Sequence, residues 1–419
     1  MNKSTLFVQF ADRGYRGKIG TLILCNGFQH VYKECKQLGD FYWSTYRATE
    51  EEMHLNELPI SKGTVYVSAW YYDHLLQSYI WALKYPNIRF IVGGPAPRYG
   101  GFTSEKLPGN LQISTKLFEE EVLGQQFPCK SWDLELPYSL MDGVDEVQFS
   151  YNIDRRCYWG KCTFCEGYTK PWEKTLNNDV DKLVIPDSNA RKVVRLNIPS
   201  VTPKFLKHGI PKLPRRDDVT YDFFIRASDE IVPVVAKVLE DCKNGIGPKP
   251  ENFRWIIGVE WPSNRMLEYM NKGESKERII ELINLTEQYG VQIGLPFIVG
   301  WNNLTQEDVD EAKGFVSMLE NCSNIKTTVV FTLEVHPSTP LYSLIDKNDL
   351  IPVWRKVFNN GECRVRLSDE QTALNEEFRQ FYLNSKLKSF MYDGAVDSRD
   401  ANGGNQFNPK YKLENIGIG

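Results

Sequence analysis

The sequence lacks several features that mark whole classes of protein. No apolar run approaches the roughly 20 residues that cross a bilayer, so no membrane-spanning helix is expected. The formal net charge is only −4, which gives no general electrostatic attraction to nucleic acid or to an anionic membrane. No internal repeat and no low-complexity tract occurs in the 419 residues. These absences leave a globular chain that is long enough for one large domain with additions, or for two or three smaller domains.

Cysteine is scarce and mostly scattered, with nine residues in the whole chain. In a protein of this size, an odd and dispersed set predicts a reducing compartment, in which thiols are free or bound to metal. The opening residues MNKSTLFVQF contain only a short apolar stretch and predict a first strand rather than a signal peptide. We therefore expect a cytoplasmic protein.

One short stretch concentrates cysteine: RRCYWGKCTFCEGY, in which Cys157, Cys162 and Cys165 have the spacing C-x4-C-x2-C. Structural zinc would need a fourth ligand, and no fourth cysteine stands nearby. Three thiolates can instead hold three irons of a [4Fe–4S] cube and leave the fourth iron open to another ligand. We favour the cluster. The alternatives are a zinc site completed by a distant residue and three unrelated buried thiols.

Strands and helices alternate after residue 146. Strands are predicted at 146–152, 191–198, 220–226, 253–259, 291–299 and 326–333. Helices are predicted at 229–242, 276–289 and 306–319. Ser275 and Thr305 are the expected N-caps of the last two helices, with Asp308 completing a capping box at the second. Six strands alternating with helices predict a parallel α/β barrel or partial barrel, whose strand C-termini carry the chemistry.

The N-terminal part predicts a second unit. Residues 64–70 and 88–95 have the composition of strands, and the apolar positions of 73–85 recur at helical spacing. A strand–helix–strand of this length implies a parallel sheet. At the other end of the chain, Ser368 is expected to cap a helix that extends to about residue 390.

Together these elements predict an α/β fold in several parts. The parts are a small open parallel α/β layer over 1–125, a linker over 126–145, a partial (β/α)6 barrel over 146–345, and a helical C-terminal extension with a mobile tail over 346–419.

The cysteine stretch also resembles a known loop. CYWGKCTFC after a strand is similar to the cluster loop of radical S-adenosylmethionine (SAM) enzymes, and Phe164 is the aromatic residue before the last cysteine. The superfamily most often has C-x3-C-x2-C, so this loop is one residue longer, beside Gly160. The segments 256–309 and 331–342 resemble the second half and the last strand of radical SAM barrels.

The resemblance implies a role for several single residues. The three cysteines would bind the cluster, Phe164 would lie near the SAM adenine, and Phe297–Val299 would form the strand edge beside it. Glu260 would reach the ribose hydroxyls, and Arg226 would pair with the SAM carboxylate. The usual Gly-Gly-Glu segment that holds the methionine amino group is not evident, and Asn197 is its expected substitute.

Several of these residues also have a purely structural interpretation. Glu260 could be an ordinary salt-bridge partner at the barrel rim, and Phe164 could fill the core. Arg226 could pair with Asp229 or Glu230. Lys272 and Gly273 are expected to form a turn that ends a helix, with no chemistry of their own. No residue is identified as a catalytic acid or base.

Residues 65–95 resemble part of the cobalamin-binding domain that precedes the barrel in one group of radical SAM enzymes. The resemblance implies a cobalamin site that includes Ser68, Trp70, Gly93, Gly94 and Pro95. Glycines at a strand end let a bulky ligand approach the backbone closely. The alternative is a degenerate layer that has lost the cofactor.

The resemblance implies an enzyme that uses a [4Fe–4S] cluster to cleave SAM to a 5′-deoxyadenosyl radical, with cobalamin-dependent methylation of an unactivated carbon as the outcome. The alternatives are a cobalamin-independent isomerase, oxidase or bond-forming enzyme, and a non-catalytic metal-binding interaction module. The expected partners are a small-molecule or peptide substrate and an external one-electron reductant such as flavodoxin or ferredoxin. Neither a membrane nor a nucleic acid is expected as a partner.

Overall fold

The computed structural model describes most of the barrel and parts of the N-terminal unit. The described residues are 5–13, 19–23, 40–46, 55–69, 72–93, 107–114, 146–153, 157–165, 180, 183, 185, 187, 189–355 and 358–390. The predicted linker over 126–145 and the predicted tail after residue 390 lie outside them. The predicted domain boundaries therefore stay predictions.

Twelve strands form one large sheet. They are β1 (Thr5–Arg13), β2 (Ile19–Ile23), β3 (Asp40–Tyr46), β4 (Gly63–Ser68), β5 (Ile88–Gly93), β6 (Leu111–Ile113), β7 (Glu146–Asn152), β8 (Arg191–Asn197), β9 (Val219–Ile225), β10 (Phe253–Ile257), β11 (Gln292–Val299) and β12 (Ile325–Thr332). Their order across the sheet is β12-β11-β10-β9-β8-β7-β2-β1-β4-β5-β6, and β3 pairs with β1.

The α-helices of the described part of the chain are mostly short. They are α1 (Tyr72–Lys84), α2 (Pro203–His208), α3 (Val232–Lys243), α4 (Asn264–Tyr269), α5 (Lys276–Gln288), α6 (Gln306–Leu319), α7 (Pro340–Leu344) and α8 (Asp369–Asn384). Short 3-10 helices occupy Ile210–Lys212, Pro250–Asn252, Lys347–Asp349 and Lys386–Phe390. Among the described residues, no helix is both long and apolar enough to cross a membrane.

The six strands β7–β12 form the predicted partial barrel. Each strand pairs in parallel with the next one along the chain. Every strand begins and ends within two residues of its predicted bounds. Ser275 accepts a hydrogen bond from the Arg278 backbone at the start of α5, and Thr305 and Asp308 form the predicted capping box at α6. These local signals hold because a cap depends only on residues within one helical turn.

The two faces of the barrel sheet differ. On the convex face, alternate residues such as Tyr221, Phe223 and Trp255 are completely buried in the core shared with the helices. On the concave face, Phe224 and Ile256 keep part of their surface exposed, whereas Thr220 and Asp222 are buried. Because the side-chain period of a strand is two, the alternation separates a packed wall from one that is accessible in part.

The N-terminal unit contains the predicted strand–helix–strand, β4-α1-β5, with β6 beside it. All of these strands are parallel to one another and to β1. A separate core beneath them includes Trp81, which is completely buried. The junction with the barrel was not predicted: β1 and β2 are antiparallel, whereas β2 is parallel to β7. Strand direction therefore reverses between the two parts of the connected sheet.

The C-terminal extension is not purely helical. An antiparallel hairpin of β13 (Leu350–Arg355) and β14 (Phe358–Val365) precedes α8, and the sequence analysis did not predict it. Ser368 caps α8 as expected, by accepting a hydrogen bond from the Gln371 backbone. Phe378 of α8 packs against Trp261, with ring centroids 4.8 Å apart. The helix thereby covers the outer face of the last barrel strands.

Candidate functional site

The cysteine loop after β7 is attached to two other segments of the barrel rim. The backbone N–H of Thr163 donates to the Met270 carbonyl at 2.9 Å, and the Thr163 carbonyl accepts from the Leu341 backbone at 2.8 Å. The side chain of Asn271 donates to the Lys161 carbonyl at 3.0 Å. These bonds hold the loop against the turn after α4 and against the start of α7.

Trp159 attaches the loop to the same turn through its side chain. Its indole N–H donates to the Asn271 carbonyl at 2.8 Å. Its ring lies over Gly273, whose φ is +62° and where a Cβ atom would overlap the indole. The Arg226 guanidinium lies 5.0 Å from the ring centroid, and the Lys161 ammonium lies 4.7 Å from it. Glycine is therefore required at position 273 for two reasons: the backbone is left-handed, and the Trp159 ring occupies the space that a Cβ atom would need.

The three thiols differ in environment. Cys162 is buried, Cys157 is half-buried and Cys165 is exposed. Burial raises the pKa of the Cys162 thiol, although the charges of Lys272 and Arg226 act in the opposite direction. Desolvation therefore disfavours the thiolate form of Cys162, whereas the two nearby cations stabilise it.

Within the described part of the chain, no three cysteine, histidine or acidic side chains converge as ligands of a single metal ion. A cubane cluster does not require such convergence, because each thiolate binds a different iron. The Arg226 guanidinium supplies a further point of fit, since its Nη1 donates to the Sγ of Cys162 at 3.8 Å. Hydrogen bonds to ligand sulfurs are one of the means by which proteins tune iron–sulfur clusters.

A buried network of two cations and two acids extends from this thiol across the rim. The Nε of Arg226 lies 3.3 Å from Glu274, and its Nη2 donates to the Lys272 carbonyl. The ammonium of Lys272 lies 3.1 Å from Glu274 and 4.0 Å from Glu260. The side chain of Glu274 is fully buried, as is most of Lys272. Because Glu274 contacts both cations and Lys272 also faces Glu260, opposite charges offset one another, which limits the cost of burying the network.

Glu260 occupies a strained position at the end of β10. Its φ is +60°, in the left-handed region that favours glycine, and its backbone bonds on both sides to β11. Burial raises the pKa of its carboxyl to about 7, while Lys272 acts to lower it. A Cβ atom on Gly258 would lie 2.7 Å from the Glu260 carboxylate, so glycine leaves room for that side chain. Strained non-glycine residues of this kind concentrate at functional sites.

The predicted SAM-binding residues are distributed around this network. Phe164 is half-buried and meets Trp301 edge-on, with ring centroids 5.9 Å apart. The ring of Phe297 points into the core, where it packs on Tyr382, and Val299 is also buried. Beside Glu260, this segment therefore presents its backbone and the half-buried side chain of Ile298. Asn197 ends β8, but its side chain lies outside the described residues.

Sequence reasoning missed Lys272, Glu274 and Trp159. Lys272 had been predicted to form a turn with no chemistry of its own, yet its ammonium is buried between two carboxylates. The run Lys-Gly-Glu after an apolar helix is the one available signal, because two opposite charges there suit an ion pair. Nothing in the local pattern shows that the pair is buried.

The structure describes part of the predicted cobalamin site at the ends of β4 and β5. Ser68 and Gly93 are register partners at the ends of β4 and β5, and Ser114 follows β6 beside them. The Ser68 hydroxyl is buried and has no hydrogen-bond partner among the described residues. A Cβ atom on Gly93 would make only an ordinary contact, 3.7 Å from the Ser114 carbonyl. Among the described residues, packing therefore does not require glycine at position 93.

The other three predicted cobalamin residues, Trp70, Gly94 and Pro95, lie outside the described residues. Their involvement stays a prediction.

Comparison with known proteins gives one kind of match. No protein-family model and no curated protein sequence matches the chain. Among solved structures, the chain is similar to the cobalamin-dependent SAM radical enzyme OxsB with aqua-cobalamin bound, at 15% identity and a TM-score of 0.57. The match covers 90% of this chain and 66% of OxsB.

Two other structures of OxsB are also similar. The form with aqua-cobalamin and SAM has 14% identity and a TM-score of 0.56, and the apo form has 15% identity and a TM-score of 0.54. Each match covers 89% of this chain and 65% of OxsB, so the chain spans slightly less than two thirds of that protein. The likeness shows that the chain shares the fold of OxsB, which agrees with the fold that the sequence resemblance implied.

Proposed function

We propose that this protein is a radical SAM enzyme that binds a [4Fe–4S] cluster at Cys157, Cys162 and Cys165. The observation that carries the proposal is the attachment of the cysteine loop to the strand ends, where Arg226 contacts both a cysteine sulfur and the buried ion network. When bound, the cluster would supply one electron to SAM, and the resulting 5′-deoxyadenosyl radical would abstract hydrogen from an unactivated carbon.

The chain's own residues have separate tasks in this proposal. Arg226 supports the buried Cys162 sulfur and presents a guanidinium to the SAM carboxylate. Glu260 offers acceptor oxygens to the ribose hydroxyls. Lys272 and Glu274 keep both groups in place, since Glu274 contacts Arg226 and Lys272 faces Glu260. Trp159 covers the network and helps to exclude water.

The cluster is tested by anaerobic reconstitution of the full-length chain. We expect about four irons and four sulfides per chain with broad absorption near roughly 400 nm, as in other [4Fe–4S] proteins. Replacing the three loop cysteines by Ala together should abolish both. Cys322→Ala is the matched control, because Cys322 lies outside the loop and should not affect iron content. Stoichiometric zinc without labile sulfide would contradict the proposal.

The SAM site is tested by affinity and by product. Under a strong reductant, the reconstituted protein should release 5′-deoxyadenosine from SAM slowly even without substrate. Glu260→Ala and Arg226→Ala should each weaken SAM binding by on the order of 1–3 kcal/mol, the usual value of a hydrogen bond to a charged group. If SAM affinity is unchanged in both variants, these residues have a structural role only.

We further propose that the edge formed by Ser68 and Gly93 binds cobalamin and that the reaction methylates the substrate carbon, with a second SAM as the methyl source. Protein expressed with hydroxocobalamin should retain it in equimolar amount. Gly93→Trp should prevent retention, because the indole would fill the edge. Gly109→Trp is the control, since a Cβ atom at Gly109 has no described residue within 4 Å. Turnover should yield S-adenosylhomocysteine together with 5′-deoxyadenosine.

One observation favours a second candidate, a cobalamin-independent isomerase, oxidase or bond-forming enzyme. The reversal of strand direction between β1 and β2 places the carboxyl ends of β4–β6 and of β7–β12 at opposite edges of the connected sheet. A direct methyl transfer needs both ends at one substrate, so the curvature of the sheet would have to bring them together. Products without S-adenosylhomocysteine, in protein that binds no corrinoid, would support this candidate instead.

A further inference from the structure

The concave face of the barrel carries a layer of charged side chains that the proposed chemistry does not use. Arg195 on β8, Asp222 on β9 and Arg254 on β10 are register neighbours on three adjacent parallel strands. Asp222 comes four residues before Arg226, which places the layer about 13 Å from the strand-end site at ~3.3 Å per residue. The layer therefore forms a floor beneath that site.

Both arginines contact the same oxygen of Asp222. The Nη2 and Nε of Arg254 lie 2.5 and 2.9 Å from Oδ2, and the Nη2 of Arg195 lies 3.0 Å from it. The side chain of Asp222 is only 1% exposed, yet its Oδ1 has no hydrogen-bond partner among the described residues. The Nε of Arg195 is likewise buried without a partner in the described part of the chain.

The layer has an excess of positive charge and of donors. One carboxylate faces two guanidiniums, each of which keeps its charge and presents five N–H donors. Because all the contacts converge on one acceptor oxygen, most of these donors have no acceptor among the described residues. A donor that is shielded from water and lacks an acceptor is costly, and the Nε of Arg195 is such a donor. A ligand rich in acceptor oxygens would satisfy it and the partly exposed N–H groups beside it.

Aromatic surface is exposed on the same face. The ring of Phe224 is 39% exposed, and the Arg195 guanidinium lies 5.5 Å from its centroid. Large apolar side chains that remain accessible inside a concave wall, beside a few polar groups, are typical of a ligand site.

We propose that Arg195, Asp222 and Arg254 form an anion-binding floor that anchors the substrate by a carboxylate or phosphate group, while Phe224 contacts its apolar part. The ligand's status as substrate rests on the proposed function, whereas the anion site itself does not.

The site is tested with the full-length chain and simple anions. Inorganic phosphate and succinate are titrated separately at constant ionic strength, with chloride as the compensating salt, and binding is followed by calorimetry and by the thermal unfolding midpoint. In the wild type, at least one of the two anions should bind and raise the midpoint above its value in chloride. Phosphate binding alone would indicate a phosphorylated substrate, and succinate binding alone a carboxylate substrate.

Three variants distinguish anion binding by these arginines from a structural lock, in which their ion pairs with Asp222 serve only to hold the strands together. Arg195→Gln should weaken anion binding by about tenfold or more, as expected when a charge-assisted hydrogen bond is lost. Asp222→Asn should strengthen anion binding, because it removes the competing carboxylate, whereas a structural lock predicts destabilisation with no dependence on the anion. Arg379→Gln, on α8 outside this layer, should change neither anion binding nor the stability of the protein.

Two results would overturn the anion site: a response to phosphate and succinate no larger than that to chloride, or binding that is unchanged in Arg195→Gln. The outcome is separable from that of the proposed function, because the titration requires neither iron nor SAM. A chain that binds phosphate but assembles no cluster refutes the enzyme proposal alone. A chain that assembles the cluster but binds neither anion refutes the anion site alone.

Discussion

Gly273→Ala provides a direct test of how the cysteine loop is attached to the barrel. The new methyl group would overlap the indole of Trp159 and force it from its place. Trp159 would then lose its hydrogen bond to the Asn271 carbonyl and its contact with Arg226. We expect a less stable protein that also retains less iron after anaerobic reconstitution, since the loop carries the three cysteines.

The size of the effect can be worked out from these contacts. A left-handed backbone costs a non-glycine residue about 1–2 kcal/mol. Loss of the indole hydrogen bond adds about 0.5–1.5 kcal/mol, and loss of the cation–π contact adds about 0.5–1 kcal/mol. The matched control is Gly290→Ala, because Gly290 also has a positive φ, of +70°, but no described residue lies within 4 Å of its Cβ position. Gly273→Ala should therefore cost about 2 kcal/mol more than Gly290→Ala, the sum of the two lost contacts.

The assay is urea unfolding followed by tryptophan fluorescence, together with the iron content of each variant. In the Trp159→Ala background, the excess cost of Gly273→Ala over Gly290→Ala should disappear, because no indole remains to be displaced. Equal costs for the two glycine variants in the wild-type background would refute the reasoning. So would an excess cost that persists without Trp159.

Three other predictions concern single side chains. Asn375→Ala should lower the free energy of unfolding, measured by urea titration, by about 2–3 kcal/mol. The Asn375 amide accepts hydrogen bonds from the Gly300 and Trp301 backbones and donates one to the Trp301 carbonyl, and all three would be lost. A change below about 0.5 kcal/mol would contradict this prediction. In the folded protein the pKa of the Glu260 carboxyl is about 7, against an ordinary value of 4.5, so the folded state binds this proton more tightly than the unfolded state does. The stability that this proton contributes is complete below pH 4.5 and is lost as the pH rises to about 7. Glu260→Gln should flatten this fall in the urea midpoint, and an unchanged pH profile would exclude Glu260 as its source. Thr305→Ala should cost about 1 kcal/mol by removing the capping box of α6, whereas no change in midpoint would show that Asp308 caps the helix alone.

Much of the barrel could be predicted because its signals are local. The strands β7–β12 lie within two residues of their predicted bounds, since apolar β-branched runs between turn residues have few alternatives. The caps at Ser275, Thr305 and Ser368 were also predicted, because each involves residues only three positions apart. The C-x4-C-x2-C spacing likewise marked the loop that lies at the barrel rim.

The reversal between β1 and β2 and the hairpin of β13 and β14 could not be predicted in the same way. Strand direction depends on which segments pair, and pairing joins residues far apart in sequence. A single apolar run is equally compatible with a parallel and an antiparallel neighbour, so composition alone does not decide between them.

The site shows the same division. Short motifs in the sequence mark the positions of three thiols, a strand-end arginine and a strand-end carboxylate. The burial of Lys272 between Glu274 and Glu260 follows from the folded structure, as does the sharing of the Asp222 carboxylate by Arg195 and Arg254. The energy of a charge depends on its burial and on partners brought close by folding, and neither is written in the residues beside it.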